Sequence, residues 1–410
     1  MFSRFMKDRS GGVAVFFGIA VVPMLVFVGG AVDYARLASA QSHMQQGIDA
    51  AALEAGRRTI ARIDPTTTQR DARSKGVYDA NVSNFTDLTT TNFTITDSGT
   101  LLTVNASGTV RLAFGGIIGI STVTIGAKAQ VPVTVPSLEV ALVLDNTGSM
   151  AQNGKMTNLK TAAKNFLTTI STAQQSGAID TAKIALVPFT TQVKLATSNK
   201  NANWLRFTPV NLLEPMLAIN QGQWQGCVSD RDLPNDASLT APSAGVSATL
   251  FPGANCQFSS VSTVVPLSTD FNSMRTAIDN MTANGNTNTT IGLAWGMNVL
   301  TNGMPLGDNA APFGTQRLTK AMIFLTDGTN TQNRFSSSQS AIDARMTQLC
   351  NAAHGTTVVI YTVRVLDGNA TLLQNCASTS DDYASITDAS QLDALFQKIA
   401  GQLTKLRLSS

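Results

Sequence analysis

Three stretches of the chain carry side chains whose types and spacing could do chemistry. In Val140-Ala141-Leu142-Val143-Leu144-Asp145-Asn146-Thr147-Gly148-Ser149-Met150, an apolar run breaks into a carboxylate and two hydroxyls at alternate positions, Asp145, Thr147 and Ser149. Gly285-Asn286-Thr287-Asn288-Thr289 precedes a helical pattern, and Met322-Ile323-Phe324-Leu325-Thr326-Asp327-Gly328 is a second apolar run that ends in Asp-Gly. Together these stretches offer oxygens only. Carboxylates, hydroxyls and water suit a hard cation such as Mg²⁺, which keeps several waters and accepts few charged ligands. Other chemistries find little support. The chain has two histidines, His43 after an apolar segment and His354 where a helix should end, and neither lies near a candidate Ser or Cys nucleophile. Triads and His-rich zinc sites are therefore disfavoured.

These residues need elements to position them. A buried parallel strand reads as a short apolar run, and ligands of open α/β sheets gather where such strands end. Asp145 and Asp327 each close such a run, so Asp145, Thr147, Ser149, Thr287 and Asp327 are expected to line one crevice at strand ends. Further apolar runs, at Ile184 to Phe189 and Val358 to Val365, alternate with helical stripes. The stripes are Leu159, Ala163, Phe166 and Ile170; then Ile342, Met346, Leu349 and Ala353; and finally Leu392, Leu395, Phe396, Ile399, Leu403 and Leu406. Strands alternating with helices predict an α/β domain with a mainly parallel sheet.

Asp-x-Thr-x-Ser, then Gly-Asn-Thr-Asn, then Leu-Thr-Asp-Gly, in that order, resembles the von Willebrand factor A domain and its metal ion-dependent adhesion site. The resemblance implies a Rossmann-like sheet flanked by helices over residues 137–408. It also implies direct ligation by Thr147 and Ser149, a largely water-mediated Asp145, Thr287 joining in one state, and a direct or water-mediated Asp327. The family's first serine is Thr147 here, which keeps the hydroxyl. The implied cofactor is Mg²⁺, with Mn²⁺ or Ca²⁺ as alternatives.

At 410 residues there is room for two or three domains. Net charge is +3 and no Lys/Arg cluster alternates with aromatics, so no nucleic-acid partner is expected. Charged residues are 13%, about half the usual quarter, a balance that leans towards export. Residues 1–10 hold Arg4, Lys7 and Arg9, followed by an uncharged run of 22 residues from Gly11 to Val32. That length suits a transmembrane helix, and the run exceeds the apolar core of a signal peptide, although Ala38-Ser39-Ala40 could pass for a cleavage site. The basic flank predicts a cytoplasmic N-terminus and an exported remainder. From Asp33, Leu37, Ala40, Met44, Ile48, Ala51 and Ala55 recur at helical spacing, so a helical stalk is expected over 33–59. The stretch Gly11 to Phe17 through Gly29-Gly30-Ala31-Val32-Asp33-Tyr34-Ala35-Arg36, followed by Gly47-Ile48-Asp49-Ala50-Ala51-Ala52-Leu53, looks like the N-terminus of TadE/TadG-like pilus-assembly proteins. These are similar to pilins in having a long helix that starts in the membrane.

Residues 60–135 read as a small pilin-like α+β module. Short strands are expected at Asn92 to Thr96 and Leu101 to Asn105 around the Asp97-Ser98-Gly99 turn, a short helix within Arg111 to Ile120, and a further strand from Val123 to Val135. An insertion at about 197–262 is too long for an ordinary connection and holds Trp204, Trp224, Cys227 and Cys256. It reads equally as a recognition surface or as a disulfide-stapled loop, and its Trp224-Gln225-Gly226-Cys227 segment resembles TadG-type proteins carrying a von Willebrand A domain. Four cysteines in an exported chain favour two disulfides. Pairing Cys227 with Cys256 and Cys350 with Cys376 keeps both loops local.

The sequence thus predicts no enzyme. A haloacid dehalogenase-type phosphotransferase would need a second Asp two residues after Asp145, where Thr147 stands. The expected function is a single-pass inner-membrane component of Tad (Flp) pilus assembly and adherence, its bulk periplasmic. It would grip other Tad proteins or pilin through an acidic side chain on the metal. A membrane-anchored adhesin or stress-related protein without a pilus role is the alternative.

Overall fold

The computed structural model describes residues 11–60, 63–64, 66–133, 135–207, 219–257 and 261–404, with residues 11–15 as backbone alone. Residues 1–10 with their basic flank, Leu406 and the last residues of the 137–408 domain lie outside the described residues. The chain divides into two compact units, Met1–Thr134 and Val135–Ser410.

The first unit is built on α1 (Gly11–Ile60), a 50-residue helix that runs through Pro23 without ending. Its N-terminal part is long and apolar enough to cross a membrane, and Phe16, Phe17, Val22, Leu25 and Phe27 are exposed. From Ala40 onward the helix changes character. Ala40, Met44, Ile48, Ala51 and Ala55, the stripe seen in the sequence, are fully buried. Met44, Ile48 and Ala51 pack with Tyr78 of α2 (Thr67–Val82) and with Val104, Ala106 and Ala127 of an antiparallel sheet, and Ala55 packs with Leu102 and Val133, so this stretch is half of a core. The sheet has the order β1 (Leu88–Asp97), β2 (Leu101–Arg111), β3 (Thr122–Pro132). The Asp97-Ser98-Gly99 turn is as expected, with Gly99 at φ +83° where a side chain would strain it. One expectation fails. Arg111 belongs to β2, and the segment to Ile120 is a loop with a single four-residue 3₁₀ turn, Gly115–Ile118, because Gly115, Gly116 and Gly119 favour turns over a helix.

The second unit is a six-stranded sheet. Its order is β6 (Val265–Ser268), β5 (Ala182–Phe189), β4 (Ser137–Asp145), β7 (Leu318–Thr326), β8 (Val358–Val365), β9 (Tyr383–Ile386). All neighbours run parallel except the edge strand β6. One face carries α3 (Lys155–Gln175), α4 (Phe271–Asp279) and α8 (Leu392–Thr404) against Val140, Leu142, Leu144, Ile323 and Leu325. The other carries α5 (Thr289–Leu300), α6 (Gln339–His354) and α7 (Ala370–Cys376) against Ala141, Val143, Phe324 and Ile360. Every residue of α5 is buried. It lies so close to the sheet that a Cβ on Gly296 would meet Val143 Cγ2 at 2.5 Å.

The described part of the insertion covers α5. Phe251 packs tilted and Trp204 edge-on against Trp295, at centroid distances of 4.7 and 6.0 Å. Cys227 is bonded to Cys256, and Cys350 to Cys376, as the local pairing predicts.

Candidate metal centre

Strand order places a topological switch between β4 and β7. From there the chain winds one way through β5 and the other way through β8 and β9, which opens a crevice at the carboxyl ends of the two central strands. Asp145 is the last residue of β4 and Asp327 the first after β7. The loop after β4 turns through a short 3₁₀ segment, Gly148–Ala151, so that Thr147 and Ser149 lie side by side, their hydroxyl oxygens 3.1 Å apart. The Gly285 loop is tied to it by Gly148 N donating to Gly285 O at 2.9 Å. That contact brings Thr287 to the rim. A Cβ placed on Gly328 would lie 3.3 Å from Thr287 Oγ1 and 3.6 Å from Ser149 Oγ, so both hydroxyls flank the Asp-Gly turn.

The five residues singled out in the sequence are therefore neighbours in space, and most are bonded to one another or to the strand ends. Ser149 Oγ donates to Asp327 Oδ1 at 2.6 Å. Asp145 sits behind them: Oδ1 accepts from Thr147 N at 2.8 Å and Oδ2 from the Thr326 hydroxyl at 2.6 Å. Asp145, Thr147, Thr287 and Asp327 are all buried, while Ser149 is half-buried at the mouth. Burial pushes the Asp145 carboxyl up to about 6, and the nearby Asp327 charge adds to the rise, against the lowering effect of the Thr147 and Thr326 hydrogen bonds.

Sequence reasoning missed Lys155. Its ammonium, with the side chain 4% exposed, lies 2.7 Å from Asp327 Oδ2, and the exposed Asp367 carboxylate is 3.9 Å away. A signal was available: Lys155 opens α3, and a cation in a helix's first turn opposes the helix dipole unless an anion compensates it.

The donor set fits a small hard cation. Metal–oxygen bonds of about 2.0–2.1 Å at right angles put adjacent ligand oxygens about 2.9 Å apart. The Thr147–Ser149 spacing of 3.1 Å and the Ser149–Asp327 spacing of 2.6 Å bracket that value. Among the described residues no group of three or more His, Cys, Asp or Glu side chains could hold a metal, so such a site would depend on hydroxyls.

Residues 11–58 match the family described as putative Flp pilus-assembly TadE/G-like. That match lies within α1. No curated protein matches the chain. Among solved structures, the chain is similar to the pilus adhesin SpaC from Lactobacillus rhamnosus GG in its open conformation, at 15% identity and TM-score 0.40, covering 78% of this chain and 34% of that one. It is also similar to the vWF domain of the type V pili tip protein Mfa5 from Porphyromonas gingivalis, at 11% identity and TM-score 0.39, covering 66% and 95%. A third similar structure is proximal thread matrix protein 1 from the mussel byssus with a zinc-occupied MIDAS motif, at 13% identity and TM-score 0.35, covering 66% and 48%. The chain spans about a third of the length of the SpaC structure.

Proposed function

We propose that the protein is a non-enzymatic, membrane-anchored interaction component of the Tad pilus system, with its bulk on the periplasmic side of the inner membrane. In this reading Asp145, Thr147, Ser149, Thr287 and Asp327 hold a divalent cation, Mg²⁺ in the first place. The observation that carries it is the run of oxygens Thr147, Ser149, Asp327 at the switch point, backed by Asp145. When bound, the cation supplies an electrophilic position for a carboxylate oxygen from a partner.

The chain's own residues set the charge of that position. Among the buried groups, two carboxylates against one ammonium and a divalent ion leave one positive charge, with the exposed Asp367 screened by solvent, so an anion is still wanted. The Thr147 amide and Thr326 hydroxyl hold Asp145 in place, each taking one acceptor site of its carboxylate and leaving the others for a cation or its water. The TadE/G-like segment and the exposed apolar stretch of α1 support the membrane anchor and the pilus context.

The test uses the full chain in detergent micelles. Mn²⁺ binding followed by electron paramagnetic resonance should be present in the parent and lost in Asp145→Asn and Ser149→Ala. Crosslinking in membranes should then capture pilus components from the parent, and chelator should abolish the capture. Mn²⁺ bound equally by parent and variants, or capture indifferent to chelator, would sink the reading.

A further inference from the structure

The β2–β3 loop of the first unit is unlike the other end of its own sheet. The β1–β2 turn is polar, Asp97-Ser98-Gly99-Thr100, whereas the loop reads Leu112-Ala113-Phe114-Gly115-Gly116-Ile117-Ile118-Gly119-Ile120, without one polar side chain. Phe114, Ile117, Ile118 and Ile120 are 44%, 65%, 63% and 46% exposed. Water is a poor medium for that tip.

The loop is docked on α1, and at a telling height. Phe114 lies against Gly29, where a Cβ would come within 2.7 Å of the Phe114 side chain. One helical turn further on, Asp33 accepts from Ala113 N at 2.7 Å and from Phe114 N at 3.0 Å, clipping the loop to the helix. Gly29 belongs to the uncharged run and Asp33 is the first charge beyond it. At 1.5 Å per residue, the Phe114 side chain therefore meets the helix about 6 Å deeper than the residue that marks the end of the span. Insertion of about 5–10 Å is what interfacial apolar elements reach.

The loop's backbone is also arranged for a medium without water. Leu112 N bonds Ser121 O, Ala113 and Phe114 bond Asp33, Ile117 N bonds Phe114 O, Gly119 N bonds Gly116 O and Ile120 N bonds Gly115 O. This pairing satisfies those groups without water, as burial in hydrocarbon requires. Arg111 at the neck is exposed, at the level where a cation meets lipid headgroups.

We infer that the Leu112–Ile120 loop is a second membrane contact, a monotopic wedge that enters the outer leaflet of the bilayer beside α1. The proposal rests on the reading of α1 as a transmembrane anchor. Its consequence is orientational: a single helix leaves a unit free to swivel, whereas a helix and a wedge fix the three-stranded sheet with its polar turn pointing away from the membrane.

All four native cysteines are in disulfides, so an introduced cysteine can be labelled singly. The full chain is reconstituted into phosphatidylethanolamine/phosphatidylglycerol vesicles with an environment-sensitive fluorophore at Ile117→Cys, at Ser98→Cys in the opposite turn roughly 35 Å away along β2, or at Val22→Cys in the span. The expected result is blue-shifted emission at 117, quenched by nitroxide-bearing lipid and protected from aqueous iodide, with the reverse at 98. Iodide quenching at 117 equal to that at 98, with 22 protected, overturns the wedge and leaves the anchor standing. Protection from both quenchers at 117 also overturns it, in favour of a second copy of the chain covering the loop. Iodide access at 22 overturns the anchor and the wedge together.

Discussion

Lys155→Met separates the two things the metal centre is proposed to do. The ammonium lies 2.7 Å from Asp327 Oδ2 in a pair with side chains 4% and 0% exposed. Without it, Asp327 keeps the Ser149 hydroxyl as its donor and faces the Asp145 carboxylate unscreened. Breaking one partner of a buried pair costs about 3–5 kcal/mol, because the other charge is stranded. For a unit of this size that is a drop of roughly 10 °C in Tm. With EDTA present, differential scanning calorimetry of the full chain should show that drop. Saturating Mg²⁺ should then recover more stability in the variant than in the parent: at a hundred times Kd a ligand adds about 2.7 kcal/mol, and the variant's Kd should be the lower, since a like charge has left. Partner capture should nevertheless fall, because two carboxylates now cancel the divalent ion and no net positive charge remains for an acidic side chain. Equal Tm values in EDTA, or a Mg²⁺ shift no larger in Lys155→Met than in the parent, would refute the reasoning.

Other outcomes follow from the same structure. Burial raises both Asp145 and Asp230 to about 6 from 3.8; a raised carboxyl contributes stability that is whole below the unfolded value and is lost as pH climbs through 6. Chelated protein should therefore lose stability between pH 4 and 7, and Asp145→Asn should flatten the fall; a Tm that rises over that range by the same amount in both proteins speaks against it. Gly296→Ala forces a methyl to within 2.5 Å of Val143 Cγ2 and 2.8 Å of Met322 Cε, and overpacking of about 1–3 kcal/mol should appear in urea unfolding. Replacing Cys350 and Cys376 by Ala opens a loop with a sequence separation of 26, worth about 3.5 kcal/mol on the chain-entropy model, and non-reduced thermal unfolding would show no change if that model fails here.

Much of the sheet could be read from the sequence because buried parallel strands announce themselves as apolar runs. Ile184 to Phe189 and Val358 to Val365 are such runs, and both are strands. The helical stripes of α3 and α6 were visible for the same reason of periodicity, and so was the buried stripe of α1. Less legible were the elements fixed by long-range contact. The four-residue strands β6 and β9 have no pattern of their own and are strands because an edge of the sheet receives them. The Arg111 to Ile120 segment misled because apolar residues suggested a helix where glycines allow only a turn. At the site, motif spacing revealed the oxygens but not their compensation: Lys155 and Thr326 matter through what lies opposite them after folding.

The insertion had two readings, a staple or a recognition surface, and its described residues bind the first closely to the site. Trp224 is buried and donates Nε1–H to Cys227 O at 2.7 Å, and Trp204 packs edge-on to Trp295, so both tryptophans have structural work. Asp230 has a different position. Both of its oxygens accept from Asn288 Nδ2 at 3.0 Å, and Oδ2 accepts from Arg334 N at 3.1 Å. Asn288 caps α5 and directly follows Thr287, while Arg334 belongs to the loop after Asp327. One buried carboxylate thus fixes the two loops that bring Thr287 and Asp327 together. Asp230→Ala would strand the Asn288 amide and the Arg334 N–H, a loss of about 1–3 kcal/mol for each buried group left without its partner. The strain falls on Thr287, so Mn²⁺ affinity should weaken although residue 230 is no ligand; unchanged affinity in a variant of measurably lower stability would make the Asp230 link a matter of fold alone.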